Sequence, residues 1–389
     1  MKQHITDSFQ RLNTYCRNEQ FKGWDPYDGL NSKVFHSLPG LNRSRIARLA
    51  WIQAFKRNPL NLRRILLVPK GYNPKGLGLF LHGYCNLYQL NRSEELIPTI
   101  RDLSERIIEL TSDGYSGACW GYNFDWQAKA FFQPAGTPTV VASTFIGYAL
   151  FEAYDILGDP RILEVASSIS DFILKDLNRT YDDDGNFAFS YSPLDQSQVF
   201  NATLLGSRML ARTYSYTGNR QLLDEAAKSV RFAVSHQNED GSWAYSTLPY
   251  HQWIDSFHTG YNLECLSEYQ RYSGDESYKD VISRGFQFYL DHFFMEDGRC
   301  KYYHNSLYPI DIHASAQFII TLVRLNQLQP NQPMAERVLM WIIDHMQDKK
   351  GFFYFQIKKG LRIKIPYIRW SQAWMFYAMS AYMLNSNGD

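Results

Sequence analysis

The chain has 389 residues, of which 45% are hydrophobic and 20% charged, an ordinary composition for a globular protein with a large core. Forty lysines and arginines oppose 39 aspartates and glutamates, so the net charge of +1 provides no overall field to attract nucleic acid or an acidic membrane. The sequence contains neither a signal peptide nor an unbroken apolar run of about 18 residues. We therefore expect a cytoplasmic protein with no nucleic-acid partner and no membrane span.

Residues 1–40, which include FKGWDPYDGLNSKVFHSLPG, are rich in turn formers and aromatics and are expected to form an N-terminal arm. Beyond them, two kinds of helix alternate. Amphipathic segments, with apolar residues at i, i+3, i+4 and i+7, begin with RSRIARLAWIQAFKR and end with MAERVLMWIIDHM. Each segment would therefore bury one face and expose the other to solvent, which predicts an outer layer of helices.

Helices of the second kind are apolar or small nearly all round, and most follow a turn with a glycine and an aromatic residue, such as GSWAYS or GFFYFQ. Aligned on their starts, these helices are spaced 59, 57, 55 and 57 residues apart. The equivalent positions are Ala142, Asn201, His258, His313 and Trp370. An earlier copy, GLGLFLHGYCNLYQL, brings the count to six. A repeat of this kind predicts stacked helical hairpins.

Six hairpins with inner and outer members predict an all-α fold, the (α/α)6 toroid, with short β-hairpin-like loops at one mouth. Residues 1–389 would form a single domain, because no linker rich in proline, glycine or serine divides them. The inner helices would all begin at that mouth, where unpaired N–H groups favour polar or anionic ligands. Side chains far apart in sequence would then converge on one central cleft.

The cysteine and aromatic residues limit which kinds of functional site the sequence can form. The five cysteines are widely spread and form no C-x-x-C pair, which predicts buried free thiols and no metal site. Aromatic residues make up 16% of the chain. They can fill a core, but they also stack on sugar rings and stabilise cations. The sequence contains no phosphate loop or nucleophile elbow, and no cofactor is predicted.

The turn HQNEDGSW resembles the Q-x(2-5)-G-x-W motif of squalene and related terpenoid cyclases. Those enzymes protonate an alkene with the middle aspartate of a D-x-D-D segment. The nearest stretch here is YDDDGN, which places Asp182, Asp183 and Asp184 in a turn before a glycine. A terpenoid cyclase is therefore an alternative, and it requires a dry aromatic cavity with one buried acid.

The stretch WIDSFHTGYNLECL is similar to the W-[IV]-D-x-x-[FY]-M segment of unsaturated glucuronyl hydrolases, which share the toroid. That resemblance implies an acid/base role for Asp255, although His258 and Thr259 stand near the positions of the family's aromatic and methionine residues. The chain also resembles N-acylglucosamine 2-epimerases, which have a similar length and a pair of cavity histidines. Position in the ring would make His258 and His313 the counterparts.

Asp255 also suits a helix N-cap, which contributes about 1 kcal/mol and does not exclude a catalytic role. One turn later, His258 is close enough for Asp255 to orient its ring. The loop WGYNFDWQAKAFFQPAG contains a second acid, Asp125, which would either form a turn or act as a general acid among aromatics. We expect Asp125, Asp255 and His258 to be catalytic. Asp195, in SPLDQSQ, suits a cap.

The remaining candidates would bind substrate. Aromatic side chains at the loop and at the last inner helix would stack on a pyranose, and an arginine beside that helix would hold a carboxylate bidentately. The set comprises Trp120, Tyr122, Trp126, Asn201, His313, Arg369 and Trp370. The partner is then a small saccharide or polysaccharide, most simply an acidic, uronate-like one that is hydrolysed. Epimerisation, elimination and glycan binding without chemistry are the alternatives.

Overall fold

The computed structural model describes residues 1–127 and 132–386. Its helices are α1 (Lys2–Asn18), α2 (Lys33–Ser37), α3 (Arg45–Arg57), α4 (Pro74–Asn91), α5 (Ile97–Glu109), α6 (Val140–Leu157), α7 (Pro160–Lys175), α8 (Phe200–Thr217), α9 (Arg220–Ser235), α10 (Ser256–Ser273), α11 (Lys279–Phe293), α12 (Ile312–Arg324), α13 (Gln332–Met346) and α14 (Trp374–Asn385). Its strands are β1 (Trp126–Gln127), β2 (Phe132–Gln133), β3 (Arg179–Tyr181), β4 (Phe187–Phe189), β5 (Ile310–Asp311), β6 (Gln356–Lys358) and β7 (Leu361–Ile363). A π-helical turn, Ile368–Ala373, leads into α14.

Six inner helices, α4, α6, α8, α10, α12 and α14, form a closed ring, since each packs on the next and α14 packs back on α4. Helices α5, α7, α9, α11 and α13 lie outside the ring against α4, α6, α8, α10 and α12 respectively. The predicted (α/α)6 toroid is therefore confirmed. The antiparallel pairs β1–β2 and β3–β4 and the three-stranded antiparallel sheet β5–β6–β7 lie in the connections that precede inner helices, as the sequence predicted for one mouth.

Small residues let the inner helices approach closely. A Cβ on Gly147 of α6 would lie 2.4 Å from Met209 Cε, and one on Gly83 of α4 would lie 2.4 Å from a ring carbon of Phe376. Packing this tight has no room for larger side chains. Among the described helices, α6 is long and apolar enough to cross a membrane, and it is an inner helix that is mostly buried in the ring.

The outer ring is completed by a helix that the sequence analysis assigned to an arm. Helix α1 packs on α14 and α13, and its Ile5, Phe9, Leu12 and Cys16 are buried. These residues recur at intervals of three or four, which is the same stripe that marks the other outer helices. The prediction of an arm over residues 1–40 was thus wrong for α1, and the missed signal lay in its own periodicity.

Helix α3, which was predicted to be the first outer helix, instead packs on the turn Asp28–Asn31 and on β1. It buries only Ile52 and Phe55, so it covers one side of the mouth and faces solvent on the other. Residues 23–31 connect this cover to the ring. The backbone of Trp24 accepts a hydrogen bond from the Ile368 N–H at 2.9 Å.

All five cysteines are buried and unpaired, as predicted. Burial raises the pKa of the Cys300 thiol to about 12, so it stays protonated at neutral pH.

Candidate active site at the mouth of the ring

Four of the six inner helices, α4, α6, α10 and α12, begin with a polar cap. Thr139 accepts from the Ala142 N–H, Asp255 from the His258 N–H and Asp311 from the His313 N–H. Each cap satisfies an amide that lacks a partner inside its helix. The caps therefore bring the first turns of these helices, and their side chains, to one shared surface, which we call the mouth.

Asp255 is a cap and the orienting partner of His258 at once. Its side chain is fully buried, and Oδ1 accepts from the His258 N–H at 3.0 Å. Oδ2 accepts from Trp253 Nε1 at 3.0 Å and contacts His258 Nδ1 at 2.7 Å. With three donors on a buried carboxylate, Asp255 positions other groups, and its own oxygens are turned away from a ligand.

His258 is the member of this pair whose side chain remains accessible. Its side chain is 21% exposed, and Nε2 makes no hydrogen bond to any residue in the described ranges. A carboxylate only accepts, so the contact with Asp255 places the proton of the neutral ring on Nδ1 and leaves a lone pair on Nε2. Tyr245 and Phe257 hold the ring from the sides, at centroid distances of 4.7 and 4.2 Å.

His313 lies deeper and is 2% exposed. Its ring stacks between Phe257 and Trp374, with centroids 4.4 and 4.2 Å away, and Nε2 is 2.8 Å from Tyr261 Oη. Burial, followed by the charges of Lys75 and Arg369, lowers the pKa of His313 well below its ordinary value. His313 is therefore a neutral residue of the floor beneath His258, with Tyr261 between the two rings.

Asp311 is a site residue that the sequence analysis missed. Its carboxylate accepts from the His313 N–H at 2.8 Å, from Trp370 Nε1 at 2.9 Å and from Gln356. Burial raises its pKa to about 6. The signal was present in the sequence, because Asp311 precedes His313 at a helix start much as Asp255 precedes His258.

Arg369 does not stand free for a substrate carboxylate. Its guanidinium pairs bidentately with Asp25, with Nε to Oδ2 at 2.7 Å and the second contact at 2.9 Å. Both side chains are nearly fully buried. The expected carboxylate contact exists, but residues 23–31 of the same chain supply it. This pairing removes the residue on which the prediction of a uronate depended.

Of the four aromatic residues predicted to stack on a sugar, one lies in the hydrophobic core and three lie at the mouth. Trp120 is fully buried, and its indole N–H donates to the Ile107 carbonyl at 2.7 Å, so its assignment as a sugar-stacking residue was wrong. Tyr122 is half-buried and lies 3.3 Å from Tyr191, oxygen to oxygen. Trp126 is half-buried as well, and Trp370 is 7% exposed. The structure thus keeps three of the four at the mouth.

Other aromatics at the mouth came from loops whose position the repeat alone did not give. Trp253 stacks on Tyr245 at 4.6 Å beside His258. Tyr27, from the N-terminal segment, meets the edge of Trp370 at 5.8 Å and of Trp126 at 6.5 Å. These rings are half-buried. They are suited to contact with the apolar faces of sugars.

The remaining predicted residues have local roles. Asp125 is half-buried and accepts from the Ala135 N–H at 2.8 Å, as a turn former does; residues 128–131 of its loop lie outside the described residues. Asp195 accepts from Ser192 and Ser197 and stabilises the turn before α8. Asn201 is 2% exposed, and its side-chain nitrogen has no partner among the described residues.

Two further features bear on the alternatives. Asp183 and Asp184 are exposed in the β3–β4 turn, where Asp182 accepts from backbone amides, so this segment cannot supply the buried acid of a terpenoid cyclase. A toroid that binds glycans without chemistry would be expected to have Asp255 and His258 pointing apart, whereas here the two side chains are in contact.

A cavity of about 510 Å³ lies between α7 and α9, away from the mouth.

Comparisons with known proteins agree with this architecture. No protein-family model matches the sequence, and no curated protein matches it. Among solved structures, the fold is similar to the cellobiose 2-epimerase of Bacillus thermoamylovorans B4167, with a TM-score of 0.65, 12% identity and coverage of 98% of this chain and 99% of that one. The fold is also similar to an unsaturated glucuronyl hydrolase specific for heparin, with a TM-score of 0.63, 13% identity and coverage of 98% of this chain and 97% of that one. For a sugar epimerase from a ruminal bacterium, the TM-score is 0.61 and the identity 16%, with coverage of 83% of this chain and 90% of that one. At these identities the likeness establishes the (α/α)6 toroid.

Proposed function

We propose that the protein is a carbohydrate-active enzyme that moves a proton at a carbon atom of a saccharide, with His258 as the proton carrier. The observation that carries the proposal is the pairing of His258 with Asp255, which leaves Nε2 as a lone-pair base at an aromatic mouth. The structural similarity to a sugar epimerase and to a cellobiose 2-epimerase supports this class of reaction.

The carboxylates at the mouth argue for an imidazole rather than a pair of acids. Hydrolysis of a glycosidic bond ordinarily uses two carboxyl groups, one as acid and one as base or nucleophile. Asp255, Asp311 and Asp25 are each saturated by donors of the protein itself. Because their oxygens already accept from donors of the protein, these three carboxyl groups are not free to exchange a proton with a substrate atom.

The step proposed for His258 begins with an open-chain sugar whose carbonyl neighbours the reacting carbon. Nε2 takes the proton from that carbon, and the electron pair of the C–H bond moves into an enediolate whose charge rests on the carbonyl oxygen. Return of the proton to the other face, once the enediolate has turned relative to the imidazolium, gives the epimer. Return of the proton to the former carbonyl carbon, with transfer of the hydroxyl proton of the reacting carbon to the former carbonyl oxygen, gives the ketose. Asp255 stabilises the imidazolium that forms in between.

Solvent exchange tests this step directly. Cellobiose and free aldohexoses incubated with the enzyme in D2O should gain one deuterium at the carbon next to the carbonyl, as followed by NMR. Replacement of His258 by glutamine should lower the exchange rate by about 10²–10⁴-fold. Exchange that continues at the wild-type rate in His258→Gln would disprove the role of this residue.

Glycoside hydrolysis is the second candidate, and Asp125 is the residue that favours it. Its carboxyl is half-buried beside Trp126, and the Ala135 amide occupies Oδ1. In that case Asp125 would be the general acid, and His258 would activate water. Release of new reducing ends without deuterium in the product, lost in Asp125→Asn, would select this candidate over proton transfer at carbon.

A further inference from the structure

Helix α3 brings a cation to the mouth that the sequence analysis treated as part of an outer face. Lys56 Nζ donates to Tyr27 Oη at 2.8 Å and lies 4.5 Å from the centre of the Tyr27 ring. Tyr27 in turn contacts Trp370 at the floor of the mouth. The ammonium group therefore lies at the edge of the aromatic surface that surrounds His258.

A second cation reaches the same edge from β6. In the β5–β6 ladder, Gln356 lies opposite Asp311, and their side chains are hydrogen-bonded. Two residues further along the strand, Lys358 pairs with Leu361 at the start of the β6–β7 turn. Residues two apart on a strand share a face, so Lys358 lies on the face of β6 that carries Gln356 and at the same edge of the mouth. Arg57 follows Lys56 at the end of α3. Burial, followed by the charges of Arg57 and Lys56, lowers the pKa of Lys358.

No carboxylate lies within 4.0 Å of Lys56, Arg57 or Lys358 in the part of the chain that the structure describes. Two other cations near the mouth are neutralised, Arg369 by Asp25 and Arg63 by Asp28, while Lys75 is buried beneath the floor with its Nζ 5.2 Å from the centre of the Trp374 ring. Like charges held together without a counter-ion repel each other, and a bound anion would remove that repulsion. The protein as a whole is nearly neutral, so this field is local.

We propose that Lys56, Arg57 and Lys358 form a cationic rim that binds the negatively charged groups of an acidic oligosaccharide whose end enters the mouth. The inference rests on the proposed function, and it names the class of substrate. A saccharide is favoured over a nucleic acid because the net charge of only +1 gives no extended basic surface for a phosphate backbone. The rim is continuous with the aromatic residues around His258 through Tyr27. The rim would thus take the role that the sequence suggested for Arg369.

Binding of defined oligosaccharides tests the rim. Isothermal titration at several salt concentrations would compare hexagalacturonate, a heparin-derived hexasaccharide and neutral xylohexaose. We expect the double variant Lys56→Met/Lys358→Met to lose about tenfold in affinity for the acidic ligands at low salt, and the slope of log Kd against log salt to fall. The two acidic ligands separate carboxylate from sulfate recognition. Affinity for xylohexaose should not change.

Matched variants make the result interpretable. Lys349→Met/Lys350→Met removes the same charge from an exposed turn outside the mouth and should leave binding unchanged. Lys56→Arg/Lys358→Arg should restore the affinity, which a folding defect would not. Equal losses in both methionine pairs, or no acidic ligand bound by the wild-type protein, would overturn the proposal. So would a 12-residue oligothymidylate that displaces hexagalacturonate and binds more tightly.

His258→Gln separates this inference from the proposed reaction. This variant should lose deuterium exchange and keep its affinity for hexagalacturonate, because His258 lies inside the rim and carries no part of it. If the wild-type protein binds acidic sugars at the rim but has no exchange activity, the inference of a cationic rim stands and only the proposed reaction is disproved.

Discussion

Replacement of Asp255 by asparagine removes one negative charge and leaves the shape of the side chain intact. In the wild type, Oδ1 accepts the His258 N–H, and Oδ2 faces both Trp253 Nε1 and His258 Nδ1. The new NH2 group must occupy one of these two positions. At the first it opposes the helix amide, and at the second it opposes the indole N–H. In either orientation a buried donor faces a donor.

The expected magnitude follows from these contacts. A buried donor without an acceptor costs about 1–3 kcal/mol, so Asp255→Asn should lower the free energy of unfolding by that amount. The amide at the second position also forces the proton of His258 from Nδ1 to Nε2, which abolishes the base. Exchange activity should then fall by about 10²-fold or more. Asp255→Ala, which also removes the cap, should cost about 2–4 kcal/mol.

Urea unfolding and deuterium exchange, measured on the same preparations, separate the two effects. Asp195→Asn is the matched control, because Asp195 is also a buried acceptor of several donors but orients no histidine. It should lose comparable stability and retain exchange activity. An Asp255→Asn protein that is destabilised and yet turns over at the wild-type rate would refute this role of Asp255.

Three further outcomes are expected. Because burial raises the pKa of Asp311 to about 6 from 3.8, the folded state binds the extra proton between about pH 4 and 6, and the free energy of unfolding should fall as pH rises through that window. Asp311→Asn should remove this dependence, which amounts to at most about 3 kcal/mol and is measurable by urea unfolding at pH 5 and 7. Arg369→Met should cost about 3–5 kcal/mol because it leaves Asp25 buried and unpaired, whereas adding Asp25→Leu should recover part of that loss in thermal unfolding. Phe9→Ala should cost about 3–5 kcal/mol by denaturant titration if α1 closes the outer ring, against less than about 0.5 kcal/mol for the exposed Ile46→Ala in α3.

The ring itself could be predicted because the information is local and repeated. Most inner helices have a preceding turn, small residues and a polar cap of their own, and the spacing of about 57 residues recurs regardless of tertiary contacts. The cap of α10 was predictable for the same reason, since Asp255 and His258 are three residues apart. Geometry within one helical turn follows from the sequence with little ambiguity.

The position of the N-terminal helices was not predictable in this way. Helices α1 and α3 both carry an apolar stripe, and either could have filled the last outer position. The choice depends on which stripe fits against α14, more than 300 residues away in sequence. Phe9 packs on Phe376 with ring centroids 4.9 Å apart, and α3 has no equivalent contact there. Periodicity identifies a face to be buried, but it does not name the partner.

Arg369 illustrates how that ambiguity reaches the site. The arginine beside an aromatic residue at a helix start was expected to hold a carboxylate of the substrate, yet the carboxylate that it holds belongs to Asp25, 344 positions earlier in the chain. Once residues 23–31 are fixed against the π-helical turn, α3 must follow across the mouth and bring Lys56 with it. The Asp25–Arg369 contact therefore prevents Arg369 from binding an anion, and it also positions the cations of the rim. Disruption of the Asp25–Arg369 pair should for this reason weaken the rim's affinity for acidic sugars even though neither residue belongs to it.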